Sequence, residues 1–148
     1  MILAGDIGGT KVNLALFDSA TRITEKRYES RDFSGIEKIL DDFLKDNDST
    51  IEKVCFGVAG RIINGKCRLT NLSWQVEVER LKKQLGIDSV WLINDLAATA
   101  CAIPFLSPED LEIIQTGASV SEGRISVVSA GTGLGQAFLI PERNGKFI

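Results

Sequence analysis

Two apolar runs, residues 1–4 and 12–17, flank the stretch Gly5-Asp6-Ile7-Gly8-Gly9-Thr10. The pattern predicts strand, glycine turn, strand, a β-hairpin. Residues 23–30 are polar on alternate positions and predict a third strand at an edge or half exposed. Periodicity then changes. Ile36, Ile39, Leu40, Phe43 and Leu44 recur at helical spacing, and Ser34 with Glu37 three residues on predicts a capping box. After a polar loop at 45–50, residues 53–60 predict a buried strand ending in a tight turn. Three strands, a helix and a further strand imply an α/β layer fold.

Asn64-Gly65, between Ile62-Ile63 and Cys67-Arg68-Leu69, is a strong hairpin signal. Its exit, Thr70-Asn71-Leu72-Ser73-Trp74, combines small polar groups with an aromatic ring, which suits a sugar-facing loop; equally, Ser73 can cap a helix and Trp74 can be core. A helix is predicted over 74–85, with Val78, Leu81 and Leu85 inward, Lys82-Lys83 outward and Gly86 as its stop. Residues 89–93 predict a buried strand that delivers Asn94 and Asp95 to its carboxyl end. The helix expected over 96–103 is nearly all apolar, so burial is expected for it, and Pro104 closes it. Residues 105–112 read as a crossing, 111–115 as a short strand and 118–123 as a loop. The opening pattern then returns: strand 125–128, turn Ser129-Ala130-Gly131-Thr132-Gly133-Leu134-Gly135, strand 136–140. This is internal duplication. Asn144-Gly145 turns toward Lys146-Phe147-Ile148, the opening of a third strand. The expected organisation is a first domain at 1–105 and an incomplete second at 106–148, an N-terminal fragment.

Composition narrows the function. Among 148 residues, 44% are apolar, enough for a core. Lys and Arg number 17 against 20 Asp and Glu, a net charge of -3 without basic clusters, which argues against nucleic acid and leaves phosphate to backbone amides. There is no histidine, so Ser-His-Asp and Cys-His schemes and histidine metal sites are excluded within this stretch. Cys55, Cys67 and Cys101 form no Cys-x-x-Cys and read as reduced, mostly packed thiols of a cytoplasmic protein. The N-terminus lacks a basic region and meets Asp6 early, unlike a signal peptide, and no run is long enough to span a membrane.

The chemistry concentrates in the turns. Gly8-Gly9 supplies positive φ cheaply, and a glycine turn lets backbone N–H groups converge on phosphate oxygens, with the Thr10 hydroxyl beside them. Asp6, leaving the first strand there, can hold Mg²⁺ through water. No Gly-Lys-Ser/Thr follows, and a strand stands where a P-loop opens a helix. Asn94 and Asp95 occupy the carboxyl end of a strand, where ligands bind in open α/β sheets, and both residue types also suit helix capping.

With these residues in place, the sequence resembles the bacterial glucokinases of the hexokinase-related type, in the actin-like ATPase superfamily. Four stretches carry the resemblance in order: Gly5 to Thr10, the first phosphate motif; Thr70 to Trp74, the sugar-side loop; Leu92-Ile93-Asn94-Asp95-Leu96-Ala97-Ala98 with Ala102-Ile103-Pro104, the sugar and catalytic segment; and Ala130-Gly131-Thr132-Gly133-Leu134-Gly135, the second phosphate motif. Lys11 and Arg61 depart from the usual Asn and Pro, and Gly-Gly-Thr-Lys is commoner in the related repressor and sugar-kinase family. That family's Asn-Asp-Ala-Asn is here Asn94-Asp95-Leu96-Ala97, which favours glucokinase over it. The resemblance implies an RNase H-like domain with a mixed sheet, followed by the start of a second similar domain. It implies ATP and Mg²⁺, held by Gly5, Asp6, Ile7, Gly8, Gly9 and Thr10 and by Gly131, Thr132 and Gly133. Glucose is expected on Asn71, Asn94 and Asp95, with Asp95 as general base toward the 6-hydroxyl, in a cytoplasmic glycolytic enzyme that can be a homodimer. The family's Glu and His sugar ligands, adenosine motif and closing helix fall after Ile148 in this alignment of motifs, so the chain alone is expected to be inactive. Alternatives on the same fold are a kinase for another hexose or amino sugar and a non-catalytic sugar sensor.

Overall fold

The computed structural model describes residues 1–148 except positions 48, 70, 71, 119, 121, 122, 132, 143–146 and 148. Alternating burial along the first two apolar runs produces β1 (Ile2–Ile7) and β2 (Lys11–Asp18). Leu3 and Ile7 of β1 share one face with Val12, Leu14 and Leu16 of β2, all fully buried. β3 (Thr21–Glu29) returns antiparallel along the sheet edge and is mostly exposed, as its polar positions require. α1 (Ile36–Lys45) packs Ile36, Ile39, Leu40 and Phe43 into the same core. That crossover lets β4 (Lys53–Val58) join β1 in parallel, with Val54, Phe56 and Val58 beside Leu3, Gly5 and Ile7.

A separate ribbon follows, β5 (Ile62–Ile63), β6 (Lys66–Arg68) and β7 (Gln75–Glu77). Its first turn has Asn64 and Gly65 at φ 49° and 72°, the two positive values a type I′ hairpin needs. α2 (Val78–Leu85) buries Leu81 and stops at Gly86 in the left-handed conformation. β8 (Val90–Asn94) then pairs in parallel with β4 and completes the five-stranded order β3-β2-β1-β4-β8. The face away from the core carries Ala4, Asp6, Asn13, Ala15, Cys55 and Trp91.

Met1–Asp95 form one compact unit and Leu96–Ile148 a second. After α3 (Asp95–Ala102), the second unit contains two short 3₁₀ turns, Ile103–Phe105 and Pro108–Asp110, and an antiparallel hairpin of β9 (Ile125–Ala130) and β10 (Leu134–Leu139). The expected repeat of strand, glycine turn and strand is therefore present twice, each time as an antiparallel hairpin. Among the described residues no helix is long and apolar enough to cross a membrane.

Several local expectations change. α1 starts at Ile36 with Gly35 as its cap and no side-chain bond from Ser34, which lies one residue too early. The helix expected from Trp74 begins only at Val78, because β6 needs a partner and residues 75–77 supply it, Cys67 opposite Val76. Ser73 therefore does not cap it, while Trp74 is core. Residues 111–115 form no strand, and Ile113 and Ile114 are exposed, with no strand among the described residues to pair them. β8 is an edge strand with Trp91 52% exposed, and only Ala100 of α3 is buried, although both segments read as interior; Cys55 on the open face of β4 and Cys101 in α3 are accordingly exposed, and of the three cysteines Cys67 alone is packed. The turn expected at Asn144-Gly145 lies outside the described residues.

Candidate active site

β1, β4 and β8 run parallel, so the residues that follow them gather at one edge of the sheet. Gly8, Gly9 and Thr10 follow β1, Ala59 and Gly60 follow β4, and Asn94 ends β8 immediately before Asp95 opens α3. The carboxyl edge of parallel strands is where open α/β sheets bind ligands. Hydrogen bonds tie the three ends together. The Ala59 N–H donates to the Ile7 carbonyl at 3.1 Å, and Asn94 Nδ2 donates to the Gly60 carbonyl at 3.4 Å.

Asp6 sits opposite Asn13 in the hairpin register, and the Asn13 side chain hydrogen-bonds to its carboxylate. By area Asp6 is exposed, yet partial burial of its carboxyl is the largest cause raising its pKa. The nearby Asp95 charge raises it further, and the Asn13 bond opposes both. Asp95 also adds to the effect of burial in raising the Cys67 thiol, so its carboxylate lies close to both groups. A carboxylate that feels a second negative charge favours a cation nearby. Among the described residues no group of three or more His, Cys, Asp or Glu gathers as a metal site. An ion at Asp6 would draw its other oxygens from water and a bound ligand, the usual habit of Mg²⁺.

The first turn is narrow. Gly8 N–H donates to the Lys11 carbonyl at 2.9 Å, and a Cβ on Gly8 would stand 3.1 Å from that oxygen. Gly8 is not in the left-handed region; among the described residues the positive-φ glycines are Gly65 and Gly86. The expected left-handed Gly8 is thus replaced by a close backbone approach. Gly5 lies inside β1, where a Cβ would meet Leu14 Cδ2 at 2.7 Å and Phe56 Cδ1 at 2.9 Å, so packing explains this glycine. Ile7 is fully buried and offers the edge only its backbone. In the second unit, Gly131 N–H donates to the Gly133 carbonyl at 2.9 Å, within the tight loop that joins Ala130 to its partner Leu134. Gly133 faces open space, and Gly135 admits Leu96, whose Cδ2 would lie 2.8 Å from an added Cβ. Asn71 and Thr132 lie outside the described residues.

Three contributors escaped the sequence reading. Asn13 was legible in principle, because the hairpin places it opposite Asp6. Gly60 carries the carbonyl that receives Asn94, and Ser30 binds the first turn from behind; neither has a motif that marks it.

Comparison with known proteins gives the family of the chain. A family model described as Glucokinase matches residues 3–148. The chain is 43% identical to a glucokinase of Nostoc punctiforme over 97% of its own length and 44% of that protein, and 38% identical to a glucokinase of Synechocystis over 98% and 45%. The crystal structure of a glucokinase from an Antarctic psychrotroph superposes with a TM-score of 0.84 at 31% identity, covering 97% of this chain and 47% of that one. The fold is therefore of the actin-like ATPase kind, and the chain spans about 44% of the length of the curated relatives it matches.

Proposed function

Because the chain belongs to the glucokinase family, we propose that it supplies phosphate turns and the catalytic base of an enzyme transferring the γ-phosphoryl group of ATP to the 6-hydroxyl of glucose. One observation carries the reading: the Gly8-Gly9-Thr10 turn, Asn94 and Asp95 share the carboxyl edge of one sheet, with Asp95 near enough to Asp6 to raise its pKa.

Asn94, Asp95 and Asn71 hydrogen-bond glucose hydroxyls. Asp95 accepts the 6-hydroxyl proton as that oxygen attacks the γ-phosphorus, a general-base role worth about 10² to 10⁴ in rate. Gly5 to Thr10 and Gly131 to Gly133 are the nucleotide-contacting segments; the Gly8 and Gly131 amides are spent on the Lys11 and Gly133 carbonyls, so the remaining amides of the two turns are the ones that meet phosphate oxygens, without requiring a basic patch. Asp6 fits Mg²⁺ through water, since burial and the Asp95 charge both disfavour its ionised form and a neighbouring cation would offset them. When bound, the ion neutralises charge on the phosphate oxygens. Residues 1–105 make the first domain of this cytoplasmic enzyme and 106–148 begin the second, a boundary set after α3 and its 3₁₀ turn and so later in the chain than the end of the first compact unit at Asp95.

The test is a coupled assay of glucose-dependent ADP formation by the native full-length polypeptide and its Asp95 variants. Asp95→Asn keeps the shape of the side chain and removes the proton acceptor, so kcat should fall about 10²-fold or more with glucose affinity nearly retained. Asp95 is the first residue of α3, so losing its charge at the helix N-terminus costs only about 0.3–1 kcal/mol of stability. A near-normal kcat for Asp95→Asn removes the proposed mechanism.

A further inference from the structure

Ser30 is a polar residue with no exposed surface, at the start of a short 3₁₀ turn (Ser30–Asp32) where β3 ends. Both its donors are used on the first glycine turn. Its hydroxyl donates to the Gly8 carbonyl at 3.0 Å, and its backbone N–H donates to the Thr10 carbonyl at 2.8 Å. In a trans peptide the N–H points opposite to the C=O. Holding the Gly8 carbonyl toward Ser30 therefore turns the Gly9 N–H away from Ser30, and the second bond fixes Thr10 beside it. The support is itself anchored: Phe33 stacks edge-on to Tyr28 with ring centroids 5.5 Å apart, and the Tyr28 hydroxyl donates to Asp42 of α1 at 3.0 Å.

We infer that Ser30 is a positioning residue for the phosphate turn, holding the Gly9 N–H and Thr10 in the arrangement that accepts nucleotide phosphate before the nucleotide arrives. The inference rests on the glucokinase reading above. Its physical content is preorganisation: a turn already held in place loses less freedom on binding than one that must be ordered by the ligand.

The experiment is steady-state kinetics at saturating glucose, with thermal melting, on the native full-length polypeptide carrying Ser30→Ala, Ser30→Cys or Tyr28→Phe. Ser30→Ala deletes one buried hydrogen bond and should raise KM for ATP about five- to tenfold, with KM for glucose changed less than about twofold. Ser30→Cys keeps the shape of the side chain with a larger and weaker donor and should shift KM for ATP in the same direction by less. Tyr28→Phe removes a hydrogen bond of the same support without touching the turn, so it should lower the melting temperature and leave KM for ATP unchanged. If Ser30→Ala does not fold, Ser30→Cys decides by the same criterion. A folded, active Ser30→Ala with wild-type KM for ATP, or a Tyr28→Phe that raises KM for ATP equally, overturns the role of Ser30 alone. Absence of glucose-dependent ADP formation by the wild-type polypeptide overturns the glucokinase reading and this inference with it.

Discussion

Gly60→Ala adds one methyl group at a point where the site has no room. The new Cβ would lie 2.7 Å from Cys67 Sγ and 2.9 Å from the Arg68 carbonyl oxygen, against about 3.5–4.0 Å for a relaxed carbon contact. Cys67 is fully buried, so its sulfur cannot swing into solvent. The Arg68 oxygen belongs to the backbone of β6, the central strand of the ribbon, so relief requires a strand to move. Overpacking of this kind costs about 1–3 kcal/mol. For a unit the size of Met1–Asp95, that lowers the melting temperature by about 4–20 °C. The Gly60 carbonyl also accepts the Asn94 amide, so the same shift should raise KM for glucose. Urea and thermal unfolding followed through the fluorescence of buried Trp74 measure the first effect, and a coupled ADP assay the second. Cys67→Ala separates the two contacts. It removes the sulfur and leaves the carbonyl, so Gly60→Ala should cost less in that background, by about 0.5 kcal/mol or more, without becoming neutral. A Gly60→Ala melting temperature within about 1 °C of wild type, or an identical cost in both backgrounds, refutes the steric reasoning.

Two further substitutions test electrostatics and backbone strain. Burial and Asp95 raise the folded-state pKa of Asp6 above 3.8, so ionised Asp6 opposes folding above that pKa, and the opposition disappears as pH falls through it; Asp6→Asn should melt higher than wild type near pH 7 and converge with it near about pH 4, while binding Mg-ATP more weakly, and a variant that melts no higher near neutrality counts against the assignment. Gly86 has φ 69° and nothing within 4 Å of an added Cβ, so Gly86→Ala should lose about 1 kcal/mol through left-handed strain alone and leave ATP and glucose kinetics untouched; no change in urea midpoint contradicts this.

The sequence was most legible where a residue's role depends on close neighbours in the chain. Alternation exposed β1, β2 and β3, Asn64-Gly65 announced its hairpin, and Gly86 ended α2. It was least legible where a distant segment decides. Residues 75–77 sit before a helical stretch, yet they extend as β7 because β6 offers an edge to pair. Residues 111–115, with Leu111, Ile113 and Ile114 apolar, meet no such edge among the described residues and stay irregular. The same division holds at the edge of the sheet. Gly5 to Thr10 and Asn94-Asp95 are contiguous and carry a pattern, whereas Ser30 and Gly60 reach the turn and Asn94 through tertiary contacts that leave no local trace.

Register is what joins the core to the chemistry. In β1, Leu3 and Ile7 seal the core, while Asp6, adjacent to Ile7, points to the opposite face and pairs with Asn13. A slip of β1 by one residue would exchange the two sets, burying the Asp6 carboxylate among leucines and exposing Ile7. Burying an unpaired carboxylate is far more costly than any single turn contact. The alternation that makes the core therefore also forbids Asp6 from leaving the carboxyl edge. Parallel pairing extends the constraint across the sheet: Asp6 lies beside Gly57 and Val58 beside Asn94, so the position of Asn94, and of Asp95 after it, is fixed by the same ladders. The repulsion between Asp6 and Asp95 survives in the folded chain because neither strand can shift without unpacking Leu3, Ile7, Val54, Phe56 and Val58. A cation held at Asp6, as proposed above, would relieve that repulsion with the strands already in register, so less of its binding energy would go into reorganisation.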